Sequence, residues 1–335
     1  MSLRVCDWKH NKRWVYSITY DEALADLDRF AIPHHDELGI PGHVEAVVSQ
    51  IGEIRNIGTS SFNGYRHMNA DEMKDLMARG WGIGNHAWSH KFISNRGMIE
   101  QELQISRDVL EEAIDVPVLV YCAPNGNENV TNYVLEFCRE IGYACAMSIT
   151  DSINTPEDEN FYLNRTPVHV EMERPLFSVY DPYRNIRIAQ EHKGWIIDYN
   201  HCPLEEAVHT MKDCTEAQLR RRLETILIEG GDEVWCATPE EVISYHWCRR
   251  LLGYETIIET EEEHRYRLYV GSDLPKRITR KELTLDIDVP TGWCRNPRIW
   301  IDGKPQSASL IKPGVLRATI DIGNGIELSI RGNEL

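Results

Sequence analysis

Two histidines four residues apart, His86 and His90, close a short run that reads GWGIGNHAWSH from Gly80. At that spacing, on one helical turn or on a tight loop after a strand, two imidazoles can aim at one point and share a metal ion. The chain has 13 histidines, so the pair alone is a weak signal, and an exposed polar loop would read the same way. Other polar clusters placed alike give it weight. Asp21 and Glu22 follow the run WVYSITY, Pro124 and Asn125 follow VLVYC, and Asn200 and His201 follow WIIDY.

The segments around these clusters alternate between strand and helix. Residues 14–20 are β-branched and aromatic and predict a buried strand, and a second is predicted over 44–51. Between them Pro33 breaks a helical pattern, leaving His34 and His35 as helix-end or loop residues. Asn69 caps a helix over 70–79, and Gly80 ends it. Ile99, Leu103, Ser106, Leu110 and Ile114 recur about one turn apart and predict a long amphipathic helix. A helix with Val130, Val134, Phe137, Cys138 and Ile141 on its buried face leads to a strand over 144–149. Residues 151–183 are rich in Pro and Asp, with a weak strand around 168–170, and predict an excursion over one face. Strands over 195–199 and 233–237 follow, with a helix capped by Thr215 running through 228 and a last helix from Pro239 to about 252. Alternation of this kind predicts a parallel α/β barrel or a close relative over residues 1–254.

In such a barrel the active site gathers at the carboxyl ends of the strands, which brings the four polar clusters to one mouth. Their chemistry suits metal-assisted hydrolysis. Two histidines and a carboxylate leave an open position on a divalent ion, where bound water becomes a nucleophile near neutral pH. A second carboxylate can take the proton, a histidine can protonate the departing amine, and a loop N–H can stabilise the oxyanion.

A formal net charge of −17 argues against nucleic acid or an anionic membrane as partner and favours a neutral or cationic substrate. Nine scattered cysteines without a Cys-x-x-Cys pair read as reduced thiols. The start MSLRVCDWKHNKRW lacks a signal-peptide core, and no apolar stretch is long enough to span a membrane, so the expected location is the cytoplasm. After Gly253 the pattern changes to alternating segments, with Asp302-Gly303 as a hairpin signal, which predicts a small all-β, sandwich-like accessory domain over 255–335. Oligomeric state is left open, a homo-oligomer among the options.

Together these residues resemble the polysaccharide deacetylases, carbohydrate esterase family 4, over about residues 14–250. GIGNHAWSH is similar to the family's metal-binding histidine motif, with Ala87 where Ser or Thr is usual. SITYDEA, from Ser17, resembles its first motif; the match makes Asp21 the general base and Glu22 the metal ligand, with Glu22 where the family has Asp. YCAPNG resembles the loop whose backbone N–H helps hold the oxyanion, a role that falls to Asn125. IIDYNH resembles the last motif and makes His201 the general acid. Cys122 stands where the family's base-steadying arginine is found, and Arg165 is the expected substitute. The resemblance implies a distorted (β/α) barrel and removal of an N-acetyl group from an amino sugar or saccharide. It also implies a divalent metal on Glu22, His86 and His90, zinc first, with cobalt, nickel, manganese or iron as alternatives. Hydrolysis of another small amide, or a silent saccharide-binding barrel, are the competing expectations.

Overall fold

The computed structural model describes residues 3–170, 183–210, 212–293 and 298–332. They form two compact units, one of residues 13–243 and one that joins residues 1–12 to 244–335. The first strand, β1 (Leu3–Val5), lies in the latter. The larger unit carries β2 (Trp14–Asp21), β3 (His43–Ala46), β4 (Gly82–Asn85), β5 (Val120–Cys122), β6 (Cys145–Met147), β7 (Phe161–Leu163), β8 (Thr166–Pro167), β9 (Trp195–Asn200) and β10 (Val234–Cys236).

These nine strands make one parallel sheet in the order β7-β6-β5-β4-β3-β2-β9-β8, with β10 also paired to β2. Its two edges are β7 and β8, which are separated in the chain by Asn164 and Arg165 alone. Three residue steps span at most roughly 11 Å, so the sheet must curl until its edges nearly meet, an open barrel with a seam. Strand β2 is tied on both sides: β9 pairs along one edge, while β10 takes the first half of the other edge and β3 the second half. Every residue of β2 is buried, as a strand covered on both faces requires.

Cross-strand register decides what shares a face. Thr19 and Asp21 stand beside His43 and Glu45, which stand beside Gly82 and Gly84. Both nitrogens of His43 face carboxylates, Nδ1 at 2.9 Å from Glu45 Oε1 and Nε2 at 2.9 Å from Glu240 Oε1. The two glycines make this cluster possible. A Cβ on Gly84 would overlap Glu45, and one on Gly82 would overlap Glu240 and His43. On the opposite face Asp198 of β9 accepts from Tyr16 (3.0 Å) and from Arg222 Nε (2.7 Å) of the helix Glu216–Gly230, pinning that helix to the sheet.

Several boundaries differ from expectation. Strand β3 stops at Ala46 rather than near 51, because the next amides turn away: Val48 and Ser49 donate to the carbonyls of Ala87 and Trp88 in the histidine loop. The helical pattern is broken as expected near Pro33, at Ala31 between Leu27–Phe30 and Ile32–Leu38, and Pro33 sits in the first turn of the second helix, where its missing N–H costs nothing. Asn69 caps Ala70–Ala78 in a reciprocal capping box with Glu72. The long amphipathic helix is present but contains a π-helical stretch, Glu100–Ile105. The weak strand expected around 168–170 is replaced by β7 and β8, and the rest of that excursion, 171–182, lies outside the described residues.

The second unit adds β11 (Leu252–Glu259), β12 (Glu263–Val270), β13 (Glu282–Asp288), β14 (Arg298–Ile301), β15 (Lys304–Gln306), β16 (Ser309–Lys312), β17 (Val315–Asp321) and β18 (Ile326–Arg331). They form two antiparallel sheets, β1-β13-β17-β16 and β11-β12-β18-β14-β15. Alternation buries Leu283, Leu285 and Ile287 of β13 against the core. Asp302 and Gly303, both at positive φ, join β14 to β15 as a two-residue hairpin turn. The acidic run 259–263 spans the turn between β11 and β12, with Glu259 ending one strand and Glu263 starting the next.

Candidate active site

The site residues stand at strand ends or in the loops that follow them. Asp21 is the last residue of β2, and Arg165 reaches it from the seam. The contact is bidentate, Nη1 to Oδ1 at 2.6 Å and Nη2 to Oδ2 at 3.2 Å, and Arg165 also donates to Thr19 Oγ1 (3.0 Å) and the Ser148 carbonyl (3.0 Å). Burial pushes the Asp21 carboxyl up, but Arg165, helped by His86 and His201, outweighs it and holds the group well below the usual carboxylate range. Asp21 is therefore an ionised, fixed acceptor.

Glu22 follows in the left-handed region, φ 79°. Ala23, Ala87, His90 and Asn125 also have positive φ without being glycine, so strained turns gather at this mouth. The Glu22 carboxylate is ion-paired with Arg55, and both side chains are buried. Its other oxygen lies 3.4 Å from His90 Nε2. Its peptide oxygen accepts from His67 Nδ1 at 2.6 Å.

His86 comes immediately after β4, and its Nδ1 donates to the Cys122 carbonyl at 3.0 Å, which leaves the lone pair on Nε2. Burial pulls His86 down to about 4 and His90 to about 2, so both rings are neutral at ordinary pH. Their centroids lie 5.1 Å apart. The loop between them is held from outside: Asn85 Oδ1 accepts from the Ala87 amide, and Glu102 of the π-helical stretch accepts from the Ser89 amide (2.9 Å) and hydroxyl.

Asn125 is exposed, and its side chain donates to the His90 carbonyl at 2.8 Å, tying the third loop to the second. His201 follows β9 directly beside Asp21, since Tyr20 pairs with Asn200 in register. Its Nδ1 and its backbone amide both meet Asp213 Oδ1 at 2.9 Å, and Phe62 stacks on the ring at 5.4 Å. Asp213, Arg55, Phe62 and His67 are participants that sequence reasoning missed. They come from segments without strand or helix periodicity, so no pattern marks them. The Cys122 thiol, at the position where the resemblance expects an arginine, lies 3.6 Å from Asp21 Oδ1.

Glu22, His86 and His90 are neighbours, and two neutral imidazoles suit a divalent ion. As packed, however, the set does not fit one: a guanidinium, Arg55, already holds one oxygen of Glu22, and the ligand atoms of Glu22, His86 and His90 are not all within 4.8 Å of one another. Among the described residues the metal-capable group whose ligand atoms all lie within 4.8 Å of one another is Asp21, His86 and Cys122. There both Asp21 oxygens are turned to Arg165, and burial pushes the Cys122 thiol well above its ordinary range, away from the thiolate a metal requires.

Residues 10–146 match the family model described as polysaccharide deacetylase. No curated protein matches the chain. Among solved structures, IcaB from Ammonifex degensii is 19% identical over 45% of this chain and 67% of its own, with a TM-score of 0.39. The deacetylase PplD from Streptococcus pyogenes is 14% identical over 44% and 63%, at 0.37. A Mycobacterium smegmatis protein assigned as a polysaccharide deacetylase is 16% identical over 72% and 92%, at 0.45. The chain thus spans about two thirds of the first of these and slightly less of the second.

Proposed function

We propose, from the match of residues 10–146 to the polysaccharide deacetylase family model, that the protein is a hydrolase that removes the N-acetyl group from an amino sugar or saccharide. The observation that carries this reading is the pair Asp21 and His201, side by side at the ends of adjacent strands, each locked by an oppositely charged or accepting partner, Arg165 or Asp213. Asp21 accepts a proton from water as the water oxygen bonds to the acyl carbon. His201, its Nδ1 proton held by Asp213, delivers a proton from Nε2 to the nitrogen as the C–N bond breaks, releasing acetate and a free amine. The Asn125 loop is assigned the oxyanion, following the motif match. With Glu22 held by Arg55, no step is routed through a metal ion.

An uncharged acetylated saccharide suits a chain of net charge −17. Acetate release from N-acetylhexosamine oligosaccharides tests the reading, with the protein chelated and then supplied with divalent metals. Release is expected, and Asp21→Asn and His201→Gln should each lower kcat by roughly 10²–10⁴-fold. No release under any condition, or release that survives both substitutions, refutes it. The Arg55–Glu22 pair favours one second reading, a barrel that binds saccharide without turnover. Saccharide binding without acetate release would identify it.

A further inference from the structure

The two acids of the mouth are neutralised from different directions. Arg165 arrives on Asp21 from the seam of the sheet, while Arg55 arrives on Glu22 from the excursion of residues 51–68 that follows β3. That excursion is built to hold its arginine. The Arg55 amide donates to the Tyr65 carbonyl (2.7 Å), the Gly64 amide donates to the Arg55 carbonyl (3.0 Å), and Nε donates to Ser60 Oγ (3.0 Å). Its far end supplies His67, which clasps the peptide oxygen of Glu22.

We propose that Arg55 is a resident competing cation: its guanidinium holds one oxygen of Glu22 while the other oxygen faces His90, so guanidinium and a divalent ion shared with His86 and His90 compete for the same carboxylate charge. Asp21 and Glu22 bring two negative charges, and Arg165 and Arg55 return two positive ones, so these two buried pairs are each balanced without a metal, while Asp213 is turned to His201. Adding a divalent ion to that balance leaves two positive charges uncompensated away from water, which is strongly unfavourable. With Arg55 withdrawn, Glu22, His86 and His90 offer one carboxylate and two imidazoles, the donor types of an open hydrolytic metal set. This inference concerns the cation at Glu22 and stands apart from the saccharide assigned above.

Cobalt(II) binding to the chelator-treated full chain, followed by its visible ligand-field absorption, tests it without reference to turnover. Arg55→Gln should bind cobalt at least about tenfold more tightly than the unaltered protein, within the range by which neighbours of ligands shift metal affinity. Arg55→Lys, which keeps the charge, should stay near the unaltered value. Equal affinity in the unaltered protein and Arg55→Gln overturns the proposal. Should Arg55→Gln not fold, the unaltered protein decides: saturating cobalt must release Arg55, so trypsin should cut after Arg55 faster with metal than without. Cutting that is unchanged or slowed by bound cobalt overturns it equally.

Discussion

Replacing Arg165 with Met keeps the length of the side chain but removes both bonds to Asp21 and those to Thr19 and Ser148. Asp21 is left as a buried carboxylate with no guanidinium. Breaking a buried pair by removing one partner costs roughly 3–5 kcal/mol. At about 2–4 °C per kcal/mol for a unit of this size, the unfolding midpoint should fall by roughly 6–20 °C. The pH dependence gives the sharper check. In the unaltered protein the folded Asp21 titrates below its unfolded value, so its stabilisation is complete above about pH 4 and fades as pH drops below that. In Arg165→Met the largest charge opposing burial is gone, so the folded value should rise above the unfolded one, with stability kept in acid and lost as pH rises. The difference in midpoint, followed by circular dichroism, should therefore be largest near neutrality and shrink towards about pH 4. Asp21→Asn added to Arg165→Met should recover much of the loss, since an amide has no charge to desolvate. A loss that is the same at every pH, or a double variant weaker than the single, would refute the reasoning.

Two further outcomes concern the interior cluster beneath the mouth. Burial works against the charged His43 ring, but Glu240 and Glu45 outweigh it and lift the group to about 10. Its contribution is thus fully present below about pH 6.5 and lost as pH rises through about 10; urea midpoints should decline across that alkaline range and decline less in Glu240→Gln. A flat profile in the unaltered protein would contradict the charge assignment. Gly84→Ala should destabilise by roughly 1–3 kcal/mol in urea unfolding, because the new methyl overlaps Glu45 and the His43 ring edge. Indifference to that methyl would mean that Glu45 has room to move.

What the sequence discloses about this barrel follows from strand ends. Strands β2, β4, β5 and β9 are apolar runs that stop at a polar residue, and a parallel sheet sends such residues to one rim; Asp21, His86, Asn125 and His201 could be placed on that ground alone. Arg165 carries no such mark. It matters because β7 and β8 flank it, and strands of three and two residues are too short to show any alternation. Arg55 and Asp213 lie in aperiodic stretches, where only the folded chain reveals what they face. Likewise β1 is three residues long and pairs with β13 some 280 positions away, a contact that no local pattern encodes. The π-helical turn is hidden for another reason: its apolar spacing differs little from that of the helix around it.

The excursion of residues 51–68 contributes no strand to the sheet, yet it supplies Arg55 to Glu22, Phe62 to His201 and His67 to the Glu22 backbone. Part of what Glu22 and His201 touch is therefore separable from the part that makes the barrel stand. Lengthening such a segment is inexpensive in chain entropy, about 0.6 kcal/mol for each doubling. A lineage could thus exchange this one insertion and acquire a different chemistry at the mouth while inheriting the same nine-stranded floor, so the molecule is evolvable at the place where it is least constrained by its sheet.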